Sequence, residues 1–167
     1  HKYIKIMFST IFQLSNRPIE KREYIGIEHV GQGDMVFMDY TCEIDNEDRK
    51  REIKNLAGRI LPEGMFTLNA DETLAYNGGF TEWRKTYLDL IRKRTDALTE
   101  KNIMEWAGTA YHLQKAILNP LATDCLFITE FCDGHGTAER SRELMRLVET
   151  LAAGEKLYIG AVIGYRF

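Results

Sequence analysis

The twelve residues that close the chain, KLYIGAVIGYRF (156–167), constrain the fold more than any other stretch, because they are apolar on both of the alternating faces a strand presents. A half-exposed antiparallel strand alternates apolar and polar residues, whereas a strand covered on both sides reads as a nearly continuous hydrophobic run. The stretch from Leu157 to Tyr165 is therefore expected at the centre of a covered sheet. Gly160 and Gly164 stand four apart, as in dimers of membrane helices, but the run falls well short of the roughly 18 residues of a span. It is also too rich in β-branched and aromatic side chains for that reading. At a sheet edge, the same strand would pair with a second copy into a continuous sheet.

The segments before it supply the cover. Cys125 to Phe131 reads as a strand, and Ala138 to Ala152 as a helix with Leu144, Leu147, Val148 and Leu151 turned inward and Gly154 at its stop. Strand, helix and strand in this order predict a C-terminal βαβ unit with a right-handed crossover. Phe80, Trp83, Tyr87, Leu88, Ile91 and Leu98 fall at helical spacing, and Ile103, Trp106, Ala107, Ala110, Leu113 and Ile117 repeat the pattern. With Thr99 as a cap between them and Asn119-Pro120 closing the second, residues 81–118 predict an antiparallel helical hairpin whose aromatic faces pack on the sheet.

The N-terminal part is strand-rich. Tyr3 to Leu14 suggests a strand or strand pair, and Arg22 to Val30 is expected to form a hairpin with Met35 to Ile44 through Gly31-Gln32-Gly33-Asp34. A helix follows, with Asn46 as its cap and Ile53, Leu56, Ala57 and Ile60 on its apolar face. Two short strands are expected around Asn69-Ala70-Asp71. Strands first, a helical hairpin next and a βαβ unit last describe an α+β fold with a mixed sheet. No repeat, linker or low-complexity tract divides the chain, so residues 1–167 are expected to form one domain.

At 167 residues the chain can bury a core without disulfides or a structural metal. Lys and Arg number 22 against 25 Asp and Glu, so the net charge of −3 gives no general attraction to phosphate backbones or anionic lipid. Cys42, Cys125 and Cys132 are an odd, sparse set that favours a reducing compartment. With neither a membrane-length apolar run nor a secretory leader pattern, the protein is expected to be soluble and cytoplasmic.

Glu130-Phe131-Cys132-Asp133-Gly134-His135-Gly136-Thr137 is the stretch most suggestive of chemistry, because a strand is expected to give way to a helix there. Free N–H groups at a helix start form a partial positive end, and Gly134 and Gly136 would let them approach an anion, with Thr137 beside them. The same field lowers the pKa of a thiol, so Cys132 as nucleophile with His135 as base is a coherent pair. Read structurally, Cys132 is a small buried hydrophobe and the other residues are turn and cap residues. Cys132 and His135 are also two metal-ligand types at close spacing, but the remaining ligands of a structural site would have to come from Cys42, Cys125, His29 or His112. No metal and no cofactor is expected.

Asp39, Glu43 and Asp45, with Glu23 or Glu28 from a partner strand, could face one cleft as paired carboxylates, although alternation on a wet strand face accounts for them. Gly31-Gln32-Gly33 precedes a strand and lacks the rest of a phosphate-binding loop. Two basic groups, Arg49, Lys50, Arg51 and Lys54, and Arg84, Lys85, Arg92, Lys93 and Arg94, are interrupted by acids and read as solvated helix faces. Trp83 and Tyr87 lie on the apolar stripe, so nucleic-acid binding is not expected. The leading expectation is a non-catalytic protein-interaction module that works through the helical hairpin or a sheet edge, with self-association included. The alternative is a small enzyme or anion-binding protein that uses the turn from Cys132 to Thr137.

Overall fold

The apolar C-terminal strand does sit in the middle of a mixed sheet. A computed structural model describes residues 9–27, 30, 40–130 and 138–166. In chain order the elements are β1 (Ser9–Ser15), β2 (Tyr40–Glu43), α1 (Asn46–Asn55), β3 (Phe66–Leu68), β4 (Leu74–Tyr76), α2 (Phe80–Asp96), α3 (Thr109–Leu118), β5 (Leu126–Ile128), α4 (Ser141–Glu149) and β6 (Lys156–Arg166). A 3-10 turn at Lys21–Glu23 and a π-helical turn at Leu56–Ile60 complete them. The sheet runs β3-β4-β6-β1-β5, with β2 pairing the far end of β6. The fold is α+β, as the order of patterns in the chain implies.

β6 is long enough to serve three neighbours. Its start pairs with β4, its end with β2, and β1 lies antiparallel along its other side. Because it is flanked on both sides, it is not the edge at which a second copy would add.

One irregularity explains why β6 is apolar almost throughout. Phe12 pairs with Val162 and Leu14 with Ile159, so Gln13 alone stands opposite Gly160 and Ala161. This bulge reverses the alternation of β6. Leu157, Ile159 and Val162 enter a core on one face with Phe12, Leu14, Phe127 and the inward residues of α1 and α4. Ala161, Ile163 and Tyr165 enter a second core with Ile11, Leu126 and Ile128, covered by Tyr24, Ile25, Ile27 and Val30.

The C-terminal unit departs from expectation in one respect. β5 and β6 are one strand apart, but β1 is parallel to β5 and antiparallel to β6, so β5 and β6 run in opposite directions. Their connection through α4 is not a parallel crossover, and the right-handed rule does not apply to it. α4 also begins later than its sequence suggests. Glu139 exchanges two backbone hydrogen bonds of 2.8 Å with Phe127, which holds residues 138–140 extended and caps the outer edge of β5. The two short strands around Asn69-Ala70-Asp71 form as expected.

Near the N-terminus, Asp45 rather than Asn46 caps α1, its carboxylate accepting from the Asp48 N–H at 2.7 Å. The expected hairpin between Arg22–Val30 and Met35–Ile44 falls partly outside the described residues. Within them, 22–27 is no strand and β2 takes β6 as its ladder partner.

α2 and α3 form the expected hairpin, joined where the Tyr87 hydroxyl donates to the carbonyls of Ala116 at 2.8 Å and Ile117 at 3.2 Å. Phe80 and Trp83 pack against the first core, yet neither helix contains a fully buried residue. The second helix starts at Thr109, not near Thr99. Thr99 and Asn102 cap each other reciprocally, and the Asn102 amide also donates to the Ala97 carbonyl at 2.9 Å, which closes a turn. Consequently Ile103 and Trp106, expected in the core, are exposed.

Candidate functional site

Cys132, Gly134, His135, Gly136 and Thr137 lie outside the described residues. Their flanks bear on the anion-binding argument, because the helix that was to supply free N–H groups starts at Ser141, beyond the extended pair around Glu139. On the other side, the Glu130 carboxylate pairs with Arg17 at 3.2 Å across the ends of β5 and β1.

Among the described residues, the other candidate groups do not come together in one site. Asp45 is a helix cap, and Glu43 points into solvent on β2, while Glu28 and Asp39 lie outside the described residues. Cys42 and Cys125 sit on different parts of the sheet, and among the described residues no three of His, Cys, Asp and Glu are placed to hold a metal ion. Trp83 and Tyr87, the rings available for stacking on bases, stack on each other at 5.2 Å. Burial raises the pKa of the Tyr87 phenol, and the charge of Arg142 opposes the shift.

A cleft of about 640 Å³ opens between Tyr24, α1 and the β3–β4 turn. Its half-buried cation, Arg49, is already engaged. The guanidinium pairs with Glu72 at 3.3 Å, donates to the Gly160 carbonyl at 2.7 Å and lies 5.5 Å above the Tyr24 ring. Arg49 therefore ties α1 to the bulge of β6, and the cleft is the seam of that tie.

The hairpin is different, because its surface is unsatisfied. All of the large hydrophobic side chains exposed among the described residues lie between Leu88 and Leu118. Trp106 is 89% exposed and Met104 88%, both in the connection between α2 and α3, with Ile103 beside them. An indole is normally well covered, so its exposure here is unusual. In sequence the cluster is flanked by Glu100, Lys101 and Glu105, with Asp96 and the basic pair Lys93 and Arg94 at the end of α2.

Nearer the body, a second cleft of about 440 Å³ lies between α2, α3 and the approach to α4. Arg94, Lys115 and Arg140 line it together with Leu90, Tyr111 and Asp124. Its base is rigid, since the Ser141 hydroxyl donates to the Asn119 side chain at 2.6 Å and accepts from the Leu121 N–H at 3.0 Å. Charge runs alone do not reveal this cleft, because its three cations come from separate parts of the chain. Comparison with known proteins adds no name to either surface: no family model matches the chain, and no curated protein or solved structure matches it significantly.

Proposed function

We propose that the chain is a non-catalytic interaction module that docks a protein partner through the tip of the α2–α3 hairpin. The observation that carries the reading is the near-complete exposure of Trp106 and Met104 on a turn held by the Thr99–Asn102 capping pair. Tryptophan and methionine supply large contact area, and the preformed turn spares the cost of ordering the backbone that carries them. The pair Glu100 and Glu105, which flanks the exposed side chains in sequence, favours a partner whose apolar pocket has a basic rim. It also disfavours an anionic membrane surface, which would repel Glu100 and Glu105.

The test places a photo-crosslinking side chain at position 103 of the full chain, identifies the protein joined to it in an extract, and titrates that purified partner. Trp106→Ala should weaken the complex by roughly thirtyfold, the size of a hot-spot truncation of about 2 kcal/mol. Leu88→Ala, away from the tip, should leave the affinity unchanged. Sedimentation over a concentration series decides whether that partner is a second copy. Equal affinity for the Trp106→Ala chain would overturn the reading, as would a tip that yields no adduct in a chain that stays monomeric.

A further inference from the structure

The cleft beside α3 is separate from the hairpin tip and carries its own chemistry. Three permanent cations converge on it from three elements: Arg94 from α2, Lys115 from α3 and Arg140 from the residue before α4. Among the described residues none of the three takes part in an ion pair, whereas Arg17, Arg22, Arg49, Arg51, Arg84 and Arg146 all do. Asp124 is the one acid in the lining, which leaves the cleft with an excess of two positive charges.

One atom sharpens the case. The Nε of Arg94 is the single buried side-chain nitrogen or oxygen without a hydrogen-bond partner among the described residues. Buried donors are almost always paired, so this covered Nε marks a guanidinium that the protein's own acceptors do not fully satisfy. Its guanidinium offers a planar fork that matches two oxygens of one anion.

The other lining residues define the rest of the ligand. Leu90 and Leu118 are exposed, and the Tyr111 ring stands with the Lys115 ammonium 5.2 Å from its centre. A volume of about 440 Å³ lies in the range of small-molecule sites. A phosphate monoester carries a charge of about −1.5 to −2 at neutral pH, which matches the excess in the lining. We propose that this cleft binds a soluble organic phosphate, with its phosphoryl group among Arg94, Lys115 and Arg140 and a flat apolar body against Tyr111 and Leu90.

The experiment titrates the full chain with phenyl phosphate and with inorganic phosphate, and follows the arginine Nε–H signals by NMR alongside calorimetry. The expected result is saturable binding of phenyl phosphate at one site, at least tenfold tighter than inorganic phosphate, with the Arg94 Nε–H signal shifting. Lys115→Met and Arg94→Met should each weaken it at least tenfold, and Lys50→Met in the larger cleft should not. Lys115 is exposed, so its variant remains informative even where the Arg94 variant fails to fold. Non-saturable binding, equal affinity for the two probes, or unchanged affinity in Lys115→Met would overturn the proposal. None of these results bears on docking through Trp106.

Discussion

The side chain of Gln13 fills the space that Gly160 leaves empty. A Cβ on Gly160 would lie 2.5 Å from the Gln13 carbonyl oxygen. That oxygen accepts from the backbone N–H groups of Ala161 and Ile25, each at 3.0 Å, while the Gln13 amide donates to the Glu23 carbonyl at 3.0 Å. A half-exposed side chain thus stitches the bulge of β6 to the segment that covers the second core.

This relationship predicts coupled substitutions. Gly160→Ala should cost about 1–3 kcal/mol, because Gln13 must leave three hydrogen bonds to make room. Gln13→Ala should cost a similar amount by leaving two N–H groups without their acceptor. Since both substitutions disrupt one arrangement, the double variant should lose clearly less than their sum. Chemical denaturation of the four chains checks it, and simple additivity would show that Gln13 moves aside freely.

Asp45 predicts a smaller local effect. Asp45→Ala removes the acceptor for the Asp48 N–H and should cost about 1 kcal/mol, with Asp45→Asn close to neutral. Thermal denaturation of the two variants separates the cap from the charge.

Tyr165 predicts alkaline sensitivity. Its ring is fully buried and its hydroxyl donates to the Asp124 carbonyl, so burial foremost raises its pKa above the ordinary value of 10.0. Above that value the unfolded phenol ionises while the folded one does not, so its contribution is intact below about pH 10 and is lost as pH rises through the folded pKa. Tyr165→Phe should cost about 1 kcal/mol at neutral pH and flatten the fall in stability above pH 10. Denaturation midpoints at pH 7 and 10.5 measure both.

The hairpin tip and the core predict opposite signatures. Trp106→Ala should change stability by no more than about 0.5 kcal/mol, because the indole touches little. Leu147→Ala, at a fully buried position on α4, should cost about 2–5 kcal/mol. A large loss of stability in Trp106→Ala would mean that the tip is a structural contact rather than a docking surface.

Much of this architecture is legible in the residues. Helical spacing marks Leu144, Leu147 and Val148 as the buried face of α4, and all three are fully buried. The paired apolar faces of 157–165 identify the central strand. What the pattern misses is Trp106 and Ile103, which keep helical spacing without being in a helix. The reciprocal capping of Thr99 and Asn102 outcompetes the continuation of the helix there. The cationic cleft is equally hidden, since Arg94, Lys115 and Arg140 are far apart in sequence and converge only when α3 folds back.

By itself the sequence determined the α+β class, most of the strands and helices, and the buried faces of α4 and β6, because periodicity and capping act within a few residues. The tertiary structure alone decided that β5 opposes β6, that β6 reverses its faces at Gly160, and that the hairpin tip stays uncovered. Those outcomes depend on which distant backbone groups pair and which surfaces find a partner, and local patterning carries no information about either.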